Sequence, residues 1–71
     1  MFALREHMMK RSDRQVYRLI EQSKTMLPLS AIVSETEYTP RNVLRILSRL
    51  KQQKLIRCVR IGRFSFYERI S

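Results

Sequence analysis

Apolar residues recur at two different periods along the chain, and the change of period divides it. Val16, Tyr17, Leu19 and Ile20 fall at helical spacing, with Arg14, Arg18 and Gln22 on the other side. Ser12 precedes this run, with Gln15 three residues on, the spacing of a capping box. A first helix is therefore predicted over about 13–24. Leu29, Ile32 and Val33 repeat the pattern behind Pro28, a residue tolerated in a helix's first turn, and predict a short second helix over about 29–36. Between these helices there is room for a short extra strand. Thr36 to Tyr38 reads as the next turn. Thr39 and Pro40 then supply an N-cap hydroxyl and a proline at the first helical position. Val43, Ile46, Leu47 and Leu50 follow, so a third helix is predicted over about 40–53.

From Leu55 to Ile70 the period falls to two, and Ile, Val, Phe and Tyr gather around Gly62, the only glycine. With Gly62-Arg63 as a two-residue turn, Ile61 faces Phe64, Val59 faces Phe66 and Arg57 faces Glu68. One face then carries an apolar ladder closed by opposite charges, a match that sets register. Glycine at the first turn position suits type II′. The expected fold is α+β: a single domain over 1–71, with an N-terminal arm or frayed helix over 1–11, a helical part over 12–53 and a hairpin over 55–70.

Charge changes the picture. Fifteen Lys and Arg against six Asp and Glu leave a net charge of +9, the footprint expected of a nucleic-acid binder. No acid lies between Glu37 and Glu68, whereas Arg41, Arg45, Arg49, Lys51, Lys54, Arg57, Arg60 and Arg63 all do. At 100° per residue, Arg41, Arg45, Ser48 and Gln52 lie opposite the apolar stripe of the third helix, flanked by Asn42 and Arg49. A helix pair joined by a tight turn presents its second helix to the major groove, where arginine donates two hydrogen bonds to guanine. Arg41, Asn42, Arg45 and Ser48 are thus the candidate base readers. Thr39, Arg49, Lys51, Lys54, Arg60 and Arg63 are the candidate backbone contacts, the last two at the hairpin tip.

The residues Thr39, Pro40, Arg41, Val43, Leu50, Leu55, Ile56, Gly62, Arg63 and Tyr67 resemble the pattern of winged helix-turn-helix regulators of the MarR and ArsR type. That resemblance implies three helices followed by a two-stranded β-hairpin wing, and a regulator, most simply a repressor, that binds specific double-stranded DNA. Lys54 stands where the pattern usually has glycine, the long helix after the wing has no counterpart up to Ser71, and the cysteine and histidine pairs of metal-sensing members are missing. No metal or cofactor is expected, and the sequence identifies no small-molecule effector. A reader of Z-form duplex would share the fold but needs a wing tryptophan, and the chain has none.

One cysteine, Cys58, excludes a disulfide framework and a multi-thiolate zinc site. Cys58 faces Tyr67 in the hairpin and reads as a small, partly buried hydrophobe. His7 reads as an exposed residue. Few acids, one histidine and no glycine-rich phosphate loop argue against an enzyme. With no apolar run of spanning or signal-peptide length, the chain is expected to be cytoplasmic. A homodimer is the favoured assembly, with Phe2–Met9 and Phe64–Ile70 as candidate surfaces. Two alternatives to specific DNA binding stay open: a nonspecific architectural or replication protein, and a winged-helix module that binds an acidic protein.

Overall fold

The computed structural model describes residues 9–70. The elements run α1 (Arg11–Gln22), β1 (Leu27–Pro28), α2 (Leu29–Ser34), α3 (Pro40–Gln52), β2 (Ile56–Ile61) and β3 (Phe64–Arg69). Among the described residues, three helices and one antiparallel sheet make the fold α+β. His7 and most of the expected arm and of the Phe2–Met9 surface lie outside the described residues. Met9 is buried in the core and Lys10 is the N-cap of α1.

The first helix begins two residues earlier than its pattern predicts. Lys10 is extended at φ −62° and ψ 153° and makes no side-chain cap, so Ser12 lies inside the first turn and the capping box with Gln15 does not form. Asp13 takes over this end. A carboxylate in the first turn meets the positive end of the helix dipole, and the Ser12 hydroxyl points to its Oδ1 at 3.4 Å. At the far end Ser23 turns extended and its hydroxyl donates to the Thr25 carbonyl at 2.6 Å, ending the helix at Gln22.

The sheet has three strands, ordered β1-β3-β2, so a third strand joins the two of the expected hairpin. Leu27 pairs with Tyr67 and Pro28 with Phe66, so the chain between the first two helices does form the extra strand. Pro28 accordingly sits outside the first turn of α2. It ends the edge strand, where a missing N–H costs nothing, and caps α2 in extended conformation at φ −73° and ψ 161°.

Thr39 and Pro40 behave as their types dictate. The Thr39 hydroxyl accepts from the Asn42 N–H at 3.2 Å, and Pro40 opens α3. At its C-terminus the Leu55 N–H reaches the Leu50 carbonyl at 3.1 Å and the Lys54 N–H reaches Lys51 at 2.9 Å. This is the Schellman arrangement, which needs a left-handed residue at the turn. Lys54 occupies it at φ 61°, in the place where the resembled pattern has glycine.

The hairpin has the predicted register, from Ile56 opposite Arg69 to Ile61 opposite Phe64. Gly62 has φ 62°, and Lys54 is the only non-glycine residue with positive φ among the described residues. Arg63 therefore has negative φ, as type II′ requires and type I′ forbids. Arg57 Nε lies 2.6 Å from Glu68 Oε2, an exposed pair that sets register more than it adds stability.

The core forms where the helices meet the sheet. Val16 and Ile20 of α1, Ile32 of α2, Val43, Ile46, Leu47 and Leu50 of α3, Ile56 of β2 and Tyr67 of β3 are buried together. Alternation along the strands sends Ile56, Cys58 and Tyr67 inward. Val59, Ile61, Phe64 and Phe66 thus share the outward face, and the ladder that sets the register is not core.

Candidate nucleic-acid interface

Helix α3 is held from two sides, which determines what its outer face can touch. On one flank its Arg49 reaches α1. Arg49 Nε donates to Asp13 Oδ2 at 2.9 Å and Nη2 to Oδ1 at 2.8 Å. Asp13 is only 2% exposed, while the Arg49 side chain keeps 38% of its surface in solvent. The bond to Asp13 pushes the Arg49 pKa above its ordinary value against the opposing effect of desolvation. On the other flank, Leu44 shares a groove with Pro28, Leu29, Ser30 and the hairpin residues Arg63, Phe64, Ser65 and Tyr67.

Between these flanks runs an exposed stripe of Arg41, Arg45, Ser48 and Gln52. Helical spacing puts them on one face because the stripe opposite is spent on Val43, Ile46, Leu47 and Leu50. Asn42 is exposed beside Arg41, its N–H held by Thr39. The four candidate base readers are thus gathered on one helix face.

The candidate backbone contacts divide. Thr39, Lys51, Lys54, Arg60 and Arg63 are exposed. Arg49 differs from them: its Nε and Nη2 are engaged by Asp13, so it ties α1 to α3 and carries an ion pair that the other five lack among the described residues, with part of its side chain still in solvent. Nothing in the periodicity marks Asp13, because the pairing spans 36 residues and only the fold brings the two together.

Charge pairing sharpens the contrast. Asp13 pairs with Arg49, Glu68 with Arg57 and Glu21 with Arg69, at 2.8, 2.6 and 3.8 Å. Arg41, Arg45, Lys51, Lys54, Arg60 and Arg63 have no ion pair among the described residues. Among the described residues, unneutralised charge therefore lies on the outer face of α3, at its C-terminus and at the hairpin tip, and also along α1 at Lys10, Arg11 and Arg18 and at Lys24 beyond it. Exposed Glu35 and Glu37 sit in the turn ahead of α3, at the opposite end from Lys51 and Lys54. That turn is tied down by Thr36, whose hydroxyl donates to the Ile32 carbonyl at 3.0 Å. It is tied also by Tyr38, whose hydroxyl donates to Gln15 Oε1 at 2.9 Å.

Beneath the hairpin, Cys58 lies opposite Tyr67. Burial first, and then Cys58, push the Tyr67 phenol above its ordinary pKa, while Arg60 pulls the other way. The thiol is half-buried, as a small hydrophobe in a strand would be.

The described residues bring together no group of three His, Cys, Asp or Glu side chains. No helix among them is long and apolar enough to cross a membrane. No protein-family model matches the sequence, and no curated protein matches it.

Proposed function

We propose that the chain is a compact winged helix-turn-helix domain that binds double-stranded DNA as a transcriptional regulator, most simply as a repressor occluding a promoter. The observation that carries the proposal is the stripe of unpaired basic and polar side chains on the outer face of α3, next to an unpaired basic hairpin tip. In this role α2, the turn and α3 are the helix-turn-helix, and β2 and β3 are the wing. Arg41, Asn42 and Arg45 enter the major groove from the N-terminal half of α3, where a recognition helix meets base edges, and Ser48 extends the same surface one turn further. Arg and Asn there have the fork geometry to read guanine and adenine. Lys51, Lys54, Arg60 and Arg63 neutralise phosphates on either side, adding affinity without sequence information.

The site contains no cofactor chemistry in this role, and its specificity rests on four side chains. Paired half-sites bound by a homodimer are the arrangement this fold most often uses. Strand β3 cannot supply the dimer contact along a free edge at Phe66 and Tyr67, since it lies between β1 and β2 there.

Fluorescence anisotropy of an end-labelled random duplex, titrated at two salt concentrations, tests the proposal. Duplex binding through several phosphates makes log affinity fall with log salt by about 0.9 per phosphate neutralised. A selected operator that binds at least about a thousandfold more tightly than random duplex marks a specific regulator. Binding without that preference marks an architectural protein instead. Absence of binding at low salt refutes the DNA-binding role and directs the search to an acidic protein partner.

A further inference from the structure

The hairpin tip has a composition that phosphate contact does not explain. Phe64 is 67% exposed and its cross-strand partner Ile61 is 52% exposed. Both project from the outward face of the sheet, one on each side of the Gly62-Arg63 turn; Arg63 lies in the turn itself, and Arg60, opposite Ser65, is next along the strand on the other face. The turn is open: beyond its own chain neighbours, no atom lies within 4 Å of the position a Cβ would take on Gly62. A hairpin meant only to meet phosphates gains nothing from presenting phenylalanine to water.

We propose that this tip is a wedge: Phe64, backed by Ile61, inserts between base pairs from the minor groove and bends the duplex. This wedge rests on the duplex-binding role proposed above and adds a deformation of the DNA to it. Apolar side chains inserted at a base step unstack it and kink the helix by tens of degrees, roughly 20–90°. The flanking arginines suit the negative potential of a minor groove. The tip also stands at the right element of the fold. A major and a minor groove are separated by one sugar–phosphate strand. The groove between Leu44 of α3 and the hairpin's Arg63 and Ser65, floored by Pro28, Leu29 and Tyr67, sets the two elements apart so that such a strand can pass between them.

A second copy of the chain is the poorer occupant. Two tips brought face to face would assemble Arg60 and Arg63 from both copies, and like charges in contact oppose pairing. Two exposed side chains offer roughly 300 Å² at most, against about 800 Å² per partner in a stable interface.

Ligase-driven ring closure of a duplex fragment shorter than the persistence length of about 150 base pairs reads the bend wherever the protein sits. The full chain should raise the yield of circles at least about tenfold, because so short a fragment seldom closes unaided. Phe64→Ala should abolish that gain and weaken binding roughly tenfold, the worth of burying a phenyl ring. Its salt dependence in anisotropy should match the parent, since no phosphate contact is lost. Phe64→Leu should keep most of the circles, as leucine is also a wedge. Thermal unfolding of both variants should match the parent at so exposed a position.

Binding by the parent with no rise in circles, or full circles with Phe64→Ala, overturns the wedge and leaves the duplex-binding role standing. Failure of the parent to bind duplex at low salt removes both. A shift from dimer to monomer in sedimentation with Phe64→Ala overturns the wedge by making the tip a self-association surface.

Discussion

Arg49 grips both carboxylate oxygens of Asp13, at 2.9 and 2.8 Å, and so ties the first turn of α1 to the third turn of α3. The two partners are not equivalent. Asp13 is almost wholly buried, whereas Arg49 retains a solvated edge. Losing one side of this pair therefore costs different amounts depending on which is lost.

Arg49→Ala strands a buried carboxylate and should cost about 3 kcal/mol, while Asp13→Ala leaves a guanidinium that can reach water and should cost nearer 1 kcal/mol. Urea unfolding measures both as shifts in midpoint at unchanged slope. Duplex binding by Arg49→Ala, measured where the variant is still folded, should keep the parental salt dependence. A salt slope reduced by about one would return Arg49 to the phosphate contacts.

Lys54→Gly should stabilise the domain. Lys54 holds a left-handed conformation at φ 61°, which costs a residue with a side chain roughly 1 kcal/mol. The extra backbone freedom of glycine in the unfolded state returns part of that gain. For a domain of this size the net should appear as a rise in Tm of a few degrees, on the order of 3 °C. The same variant loses one cation, so anisotropy should show slightly weaker binding to every duplex. No gain in Tm would mean that the Lys54 side chain compensates for the strain of its backbone.

Stability should fall at alkaline pH through Tyr67. Burial and Cys58 raise the phenol above its ordinary value of 10.0, so the folded state holds the proton more tightly than the unfolded state does. The stability it contributes is complete below pH 10 and is lost as pH rises through the folded pKa. Tyr67→Phe has nothing to ionise there, and its urea midpoint should change less than that of the parent between about pH 8 and about pH 11. Equal slopes for the two proteins would show that Tyr67 does not govern the alkaline limb.

Arg45 and Arg63 should divide base reading from backbone contact. Arg45→Ala should cost about 1–3 kcal/mol on the preferred duplex and flatten the preference at one position, whereas Arg63→Ala should weaken all duplexes alike and lower the salt slope by about one. Anisotropy across a panel of single-base variants separates the two patterns. Indistinguishable losses would mean that the two side chains share one role.

Much of the architecture is written locally. Thr39-Pro40 starts α3 because a hydroxyl and a preset φ act within one turn. Gly62 starts the hairpin turn because no other residue in the segment tolerates its φ cheaply. The Arg57–Glu68 match sets the register because a slip by one residue would exchange the two faces. The four side chains opposite the α3 stripe were legible for the same reason: 100° per residue needs no knowledge of the neighbours.

At Ser12 and Pro28 the local pattern misled because a distant partner had intervened, and at Lys54 bonds within one turn outweighed residue type. The Ser12-Gln15 spacing promised a cap, but Asp13 was drawn beneath Arg49 and α1 began at Arg11. Pro28 looked like a helix opener, but Tyr67 and Phe66 offered the preceding backbone an edge, and Leu27–Pro28 became a strand. Lys54 lacked the usual glycine, yet the hydrogen bonds from Lys54 and Leu55 to Lys51 and Leu50 hold it in the left-handed turn regardless.

The sequence by itself determined the helices, the hairpin register and the basic character of the outer face of α3, because each depends on residues within a turn or a strand of one another. Tertiary structure alone decided which cations are free, that β1 joins the sheet, and that the apolar ladder of Phe64 and Ile61 faces solvent. Those outcomes depend on which surfaces the packed core leaves uncovered. Pairing across 36 residues and the choice between two faces of a sheet are settled only when all the elements compete for the same interior.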